Sequence, residues 1–119
     1  MIEIKENKLN HHNILIPEKV YIRTIEQSRE GEESEDGNSV KFWFSYKAYL
    51  KSKYDELGIN TPTITIDNLP DSTIIYIEKS DSIEEYKTLA AIALYFNKKY
   101  IPTLTELGIS IDDIKIIPF

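Results

Sequence analysis

The feature that most constrains the fold of this chain is a strict alternation of residue types from Val40 to Tyr46. Large apolar or aromatic residues occupy every second position of this run, and lysine, tryptophan and serine separate them. A period of two is typical of a β-strand. The earlier run Val20–Gln27 is rich in β-branched and aromatic residues and also predicts a strand. We therefore expect the two runs to pair as an antiparallel hairpin.

The segment Ser28–Ser39 between these two runs is the most acidic part of the sequence. It contains two glycines and no aliphatic residue, and its only basic residue is Arg29. Its carboxylates give it a net charge of −4, out of −6 for the whole chain. Glycine and charge at this density predict an exposed loop at the tip of the hairpin. The acidic residues are Glu30, Glu32, Glu33, Glu35 and Asp36.

Shorter runs of β-branched or alternating residues predict the remaining strands. These strands are Ile2–Ile4, Ile14–Ile16, Thr63–Asp67, Thr73–Lys79 and Ile111–Ile117. The turn-forming residues of Asn68–Asp71 separate the third run from the fourth, so we expect these two to form a second hairpin. Lys47–Leu57 changes to a helical period and predicts a short helix, which Gly58 can end.

A long helix is predicted for Ile83–Lys99. Ser82–Glu85 has the pattern of a capping box, in which the serine and the glutamate satisfy free amides at a helix start. The run Leu89–Phe96 is apolar on every face, which predicts that the helix is buried at the centre of the domain. Pro102 is expected to stop the helix because proline lacks the backbone N–H.

These elements predict a single α+β domain over residues 1–119. We expect an antiparallel sheet of two hairpins plus terminal strands, packed on one long central helix and one short helix. The length is enough for one hydrophobic core.

Charge and composition restrict the classes of function. The chain has no cysteine, which excludes disulfides, zinc–thiolate sites and cysteine nucleophiles and favours a cytoplasmic location. The chain has 14 lysines and arginines and 20 acidic residues, so its net charge is negative. Binding to nucleic acid or to an anionic membrane surface needs clustered cations, so we expect neither partner. A basic protein remains a possible partner.

No common catalytic or metal-binding pattern occurs in the sequence. If Gly37 takes the sixth position of a calcium-binding loop, Trp43 falls where the bidentate glutamate should be. His11 and His12 are adjacent, and adjacent residues on an extended chain point apart, so we expect exposed histidines without a metal. Phosphate-loop, dinucleotide-binding and serine-nucleophile motifs are absent. We therefore expect no catalytic residue, no cofactor and no metal.

Three hypotheses for function remain. The first is a protein-binding module, in its sharper form an inhibitor or immunity-type protein that neutralises a basic partner such as a nuclease toxin. Its contacts would be Glu30, Glu32, Glu33, Glu35, Asp36 and Trp43. Trp43 is included because it shares a predicted face with Lys41 and Ser45, away from the core. The alternative for the acidic segment is a solvated hairpin tip without a partner.

The second hypothesis is a structural or assembly subunit of a phage or mobile element, which would form a symmetric oligomer. The third is a small enzyme whose site forms only in three dimensions, around a deep pocket with convergent polar groups.

Overall fold

A computed structural model of the chain describes the backbone of residues 1–33, 39–69, 72–78 and 89–117. Side chains are described for residues 1–24, 43–69, 72, 97, 98 and 100–117. The strands in these ranges are β1 (Ile2–Ile4), β2 (Asn10–His11), β3 (Ile14–Leu15), β4 (Val20–Glu33), β5 (Ser39–Leu50), β6 (Ser72–Glu78) and β7 (Ile114–Ile116). The helices are α1 (Lys51–Leu57) and α2 (Leu89–Glu106), and Gly58–Asn60 and Ile111–Asp113 are short 3₁₀ helices.

The main sheet has five strands in the order β6-β5-β4-β1-β7, and every neighbouring pair is antiparallel. The terminal strands lie side by side, since Ile2 is opposite Ile22 on β4 and opposite Ile116 on β7. β2 and β3 form a separate two-stranded sheet. The predicted α+β class and the antiparallel sheet with terminal strands are confirmed.

The β4–β5 hairpin is longer than the sequence predicts. β4 has 14 residues and β5 has 12, so strand covers most of the segment Ser28–Ser39 that was expected to be a loop. For Ser28–Glu33 the expected loop is wrong, because backbone pairing, such as Ser28 opposite Trp43, outweighs the low strand propensity of charged residues and glycine. Residues 34–38 lie outside the described part of the chain.

Two irregularities interrupt the register of this hairpin. Between Thr24 and Glu26, β4 contains one more residue than the facing part of β5. This β-bulge at Ile25 is followed by a second register shift between Arg29 and Glu33. The hairpin therefore has three successive registers, and because a bulge bends the strand and increases its twist, the first change of direction comes just after Thr24.

The second hairpin predicted from the sequence is replaced by another arrangement. Thr63–Asp67 is not a strand, and its strand-like pairing in the described structure is the single bridge between Ile64 and Ala48. β6 pairs with Ser39–Ser45 of β5 instead. Ile64 and β6 therefore lie one after the other along the same edge of β5. They are separated because the chain leaves that edge at residues 65–67 to meet β2.

β2 and β3 form a short hairpin where the sequence predicts a turn followed by one strand. Asn10 is opposite Leu15, and His12 and Asn13 form the connection. Both connecting residues have positive φ, 50° and 64°. A two-residue type I′ turn needs positive φ at both positions, and asparagine tolerates it well.

α1 begins later than predicted. The helix expected over Lys47–Leu57 starts at Lys51, because β5 continues as far as Leu50, opposite Val20. Gly58 follows the last helical residue with φ of 60°, and its N–H donates to the carbonyl of Tyr54. The predicted role of this glycine as the end of the helix is confirmed.

α2 continues beyond its predicted end. The helix was expected over Ile83–Lys99, and its described part runs from Leu89 to Glu106 with Pro102 inside it. Proline removes one backbone hydrogen bond, but Tyr100 and Leu104, each 0% exposed, anchor the helix on both sides of it. The prediction that Pro102 stops the helix is therefore wrong, while the capping box at residues 82–85 lies outside the described residues.

The main core covers one face of the sheet at its base, where β1, β7 and the inner ends of β4 and β5 meet. The buried residues at its centre are Ile2, Ile4, Val20, Ile22, Phe44, Tyr46, Tyr100 and Leu104. The second half of α2 thus packs on the sheet. The side chains of Leu89–Phe96 are not described, so the central position of the whole helix stays a prediction.

A smaller aromatic cluster covers the opposite face of the base. Tyr21 and Tyr49 are paired across β4 and β5, and both are buried. The ring of Tyr54 on α1 lies 5.5 Å from the ring of Tyr21 and 5.1 Å from that of Tyr49. α1 is therefore held to the sheet by aromatic contacts.

Candidate functional site

The distal hairpin is defined here as Glu26–Glu33 of β4 with Ser39–Ser45 of β5, the part beyond the bulge at Ile25. β1 pairs with β4 only from Val20 to Ile22. β6 pairs with β5 over the whole of Ser39–Ser45. Among the described strands, the distal hairpin is thus flanked by β6 on one side, and β4 forms its other edge.

The structure places three predicted contact residues on a paired strand. Glu30, Glu32 and Glu33 belong to β4, and Glu33 is opposite Val40 of β5. The other two predicted acids, Glu35 and Asp36, lie outside the described residues, and their role stays a prediction. Glu30 and Glu32 lie within the register shift between Arg29 and Glu33, so the acidic segment is carried in part by an irregular stretch of β4 that is paired with β5 on both sides.

Trp43 is the predicted contact residue whose side chain is described. It lies on the middle strand of three, opposite Ser28 on β4 and Ile74 on β6, and it is partly buried. Its neighbour Phe44 is 0% exposed and belongs to the main core. The predicted alternation is therefore confirmed for residues 43–46, with Trp43 on the face away from that core.

Charge changes sign along the hairpin at the bulge. On the base side, Arg23 is opposite Lys47, which is exposed. On the distal side, Glu26 is opposite Ser45, and the sequence then adds the acids of the predicted contact set. Two cations directly opposite each other are unfavourable, whereas the sequence of the distal part is mainly acidic, so the two parts of the hairpin differ in charge.

A buried polar group lies at the junction of the hairpin with α2. The rings of Tyr46 and Tyr100 are stacked, with centroids 4.5 Å apart and an angle of 22°. Burial raises the pKa of both hydroxyls well above the ordinary value, and the neighbouring Tyr100 raises that of Tyr46 further. Thr24 is opposite Tyr46, and its buried Oγ1 has no hydrogen-bond partner among the described atoms.

A cavity of about 120 Å³ lies between β5 and the segment Thr63–Leu69. Ile22, Tyr46 and Ala48 line its sheet side. Pockets that enclose small molecules usually measure about 300–1,000 Å³. This cavity is therefore smaller than a typical small-molecule site.

Asp67 connects the β2–β3 turn to the segment Thr63–Leu69, which borders the cavity. Its two carboxylate oxygens accept hydrogen bonds from the backbone N–H groups of His12, at 3.1 Å, and Asn13, at 2.7 Å. Its own N–H donates to the carbonyl of Asn10 at 2.9 Å. The turn is held by three hydrogen bonds from one residue, two of them strengthened by the carboxylate charge.

The same turn brings the two histidine rings together. Their centroids are 4.0 Å apart, with an angle of 58° between the ring planes. The prediction that adjacent histidines point apart is wrong, because His12 has φ of 50° and is not extended. Nδ1 of His11 lies within hydrogen-bond distance of the carbonyl oxygen of Thr65. The His-Asn turn before an apolar run was the sequence signal that could have indicated this geometry.

Comparison of the sequence with protein-family models, with curated proteins and with solved structures finds no match. Over the described ranges, no group of three or more histidine, cysteine, aspartate or glutamate side chains is arranged to hold a metal ion. None of the described helices has the length and apolar character of a membrane span. Functional inference therefore depends on the geometry and charge of this chain alone.

Proposed function

We propose that this chain is a protein-binding module of inhibitor or immunity type, which engages a basic protein partner through the distal hairpin. The observation that carries the proposal is the placement of Glu30, Glu32 and Glu33 on β4, a strand paired with β5 beyond the reach of β1. Arg29 and Glu33, on either side of the second register shift, are both paired with β5, so the backbone that carries Glu30 and Glu32 is fixed at both ends. Binding then requires less ordering than a free loop would, which favours affinity.

Charge complementarity gives the partner its chemical type. The segment Ser28–Ser39 has a net charge of −4, although Arg29 lies within it. An acidic surface of this kind accelerates association with a cationic protein and disfavours acidic competitors. A nuclease toxin fits the expected class, because enzymes that bind phosphates present basic surfaces.

Trp43 supplies an apolar component beside the acidic residues. It lies on the middle strand of the distal hairpin and is partly buried, so part of its ring faces solvent. Tryptophan is enriched among the residues that dominate binding energy in interfaces. The distal hairpin therefore combines charge for steering with an aromatic residue for contact area.

The test compares two variants of equal charge. The distal variant carries Glu30→Gln, Glu32→Gln and Glu33→Gln. The control carries Glu56→Gln, Glu106→Gln and Asp112→Asn, three exposed acids on α1, α2 and the 3₁₀ helix that follows α2. The probe is a purified basic protein, identified by co-purification with the wild-type chain or by its adjacent gene. Dissociation constants are measured from 50 to 300 mM salt.

We expect the distal variant to weaken binding at least tenfold at low salt, about 1.4 kcal/mol, and to reduce the salt dependence. The control should change both quantities by less than about twofold. Equal effects of the two variants would show that only total charge matters. Unchanged binding by the distal variant would refute the role of the distal hairpin.

A further inference from the structure

We propose that His11 and His12 form a two-histidine binding site for a divalent transition-metal ion of the Cu²⁺, Ni²⁺ and Zn²⁺ group. The site lies on the β2–β3 turn and is independent of the distal hairpin. These are the two histidines of the chain, and their ring centroids are 4.0 Å apart.

The environment of His11 selects the form of the ring that can bind a metal. Its Nδ1 lies against the carbonyl oxygen of Thr65. A carbonyl can only accept a hydrogen bond, so Nδ1 must carry the proton and donate it. In the neutral ring, the lone pair that can bind a metal then lies on Nε2. A backbone carbonyl that fixes one nitrogen in this way is the usual second contact of a metal-binding histidine.

The spacing of the two rings is close to that of two ligands on one ion. Metal–nitrogen distances are about 2.0–2.1 Å, so two imidazoles bound at the right angle of a square-planar Cu²⁺ or Ni²⁺ site have centroids roughly 4.5 Å apart. The observed separation is 4.0 Å. His12 is exposed, so its side chain is free to rotate and bring the ring separation to the value that the metal requires. Imidazole nitrogen is a ligand that copper, nickel and zinc all accept.

The backbone of the turn is held in place before any ion binds. Asp67 accepts hydrogen bonds from the N–H groups of both His12 and Asn13. The conformation with positive φ at His12, which brings the rings together, is thereby stabilised. Because the ligands need little reorganisation, two histidines can bind an ion with useful affinity while water completes its coordination.

The chemistry sets an order of affinity. Copper binds nitrogen ligands more tightly than nickel or zinc does, and Mg²⁺ prefers oxygen ligands. We therefore expect the chain to bind one Cu²⁺ ion and to bind Ni²⁺ and Zn²⁺ more weakly. Excess Mg²⁺ should not compete with Cu²⁺ for the site. Competition by Mg²⁺ would indicate binding by the chain's carboxylates.

The experiment titrates Cu²⁺, Ni²⁺ and Zn²⁺ into the full chain, prepared without a polyhistidine tag, by isothermal titration calorimetry. Three variants are compared with the wild type: His12→Ala, His11→Ala and His11→Asn. The asparagine in His11→Asn can still donate to the carbonyl of Thr65, so this variant removes the ring while it preserves the local hydrogen bond. We expect each variant to weaken Cu²⁺ binding at least tenfold.

A second measurement separates binding at the rings from an effect on folding. The two histidines give few imidazole signals in a proton NMR spectrum, and paramagnetic Cu²⁺ should broaden both sets at less than one equivalent. Long-range nitrogen–proton spectra should show the proton of His11 on Nδ1 in the metal-free chain.

Three results would overturn the proposal. The first is Cu²⁺ binding in His11→Asn and His12→Ala that equals the wild type. The second is the absence of binding by the wild type at millimolar Cu²⁺. The third is broadening of one ring without the other, which would indicate a single ligand instead of a pair.

Discussion

Asp67 shows at the scale of one residue how a carboxylate can organise a turn that lies far away in the sequence. Asp67→Ala removes the acceptor of the His12 and Asn13 amides. We expect the free energy of unfolding to fall by about 1 kcal/mol, since both amides are near solvent and recover part of the loss from water. Asp67→Asn keeps one acceptor oxygen and should have about half of this effect. Urea unfolding followed by circular dichroism measures both changes.

Asp112→Ala provides the comparison, because Asp112 is also an exposed acid outside the long helices and strands, in the 3₁₀ helix Ile111–Asp113. Its effect should lie within about 0.5 kcal/mol of zero. If the two alanine variants lost equal stability, the hydrogen bonds of Asp67 would have no special role in the turn.

The stacked pair Tyr46 and Tyr100 predicts a loss of stability at alkaline pH. Burial raises the pKa of both hydroxyls in the folded chain. Their contribution is therefore fully present below the unfolded value of about 10 and is lost as the pH rises through the higher folded values. Each group lowers the free energy of unfolding by at most about 1.4 kcal/mol per pH unit above 10.

The measurement is urea unfolding at pH 8 and pH 11 for the wild type and for the double variant Tyr46→Phe with Tyr100→Phe. The phenylalanines keep the rings but cannot ionise. We expect the double variant to lose less stability between the two pH values. An equal loss would mean that these hydroxyls do not control alkaline unfolding.

At the scale of elements, Pro102 predicts that α2 can be strengthened. The residue lies inside the helix, where proline removes a hydrogen bond and crowds the carbonyl four residues earlier. We expect Pro102→Ala to raise the free energy of unfolding by about 1 kcal/mol, less than the full propensity difference of about 3 kcal/mol because the native helix already accommodates the ring. Thermal and urea unfolding would measure the gain. A loss of stability would show that packing of the ring outweighs the missing hydrogen bond.

Local pattern predicted the type of most elements but not their extent. Alternation identified Val40–Tyr46 as strand, yet nothing in Ser28–Glu33 indicates that this charged stretch continues β4 opposite β5. Thr63–Asp67 has strand composition, but the turn at His12 and Asn13 draws Asp67 away from the edge of β5. Pairing between distant parts of the chain decided both cases, and composition does not report it.

At the scale of the whole molecule, one core joins the sheet to the end of α2, and two leucines test it. Leu104 is 0% exposed and belongs to the main core, whereas Leu107 is 42% exposed. Leu104→Ala should lower the free energy of unfolding by about 3 kcal/mol because it leaves a cavity among large side chains. Leu107→Ala should lower it by less than about 1 kcal/mol. Comparable losses in urea unfolding would contradict the described packing.

The candidate sites were predictable to different degrees. The acidic residues could be identified from charge alone, but their position on β4 depended on a register shift that the sequence does not reveal. Trp43 was placed correctly on the face away from Phe44 because a period of two is a local property. The proximity of the His11 and His12 rings was missed, because it depends on the backbone angle of one residue and on a carboxylate 55 positions away.

The position of β1 between β4 and β7 has a consequence for the order in which the molecule assembles. β4 and β5 are neighbours in sequence, so their contact requires a short chain closure and should form early. The contact of Ile2 with Ile116 joins two strands that are far apart in the sequence and can form only after β7 has been synthesised. During translation, we therefore expect β1 to pair with β4 first. The other edge of β1 stays unpaired until β7 has been synthesised.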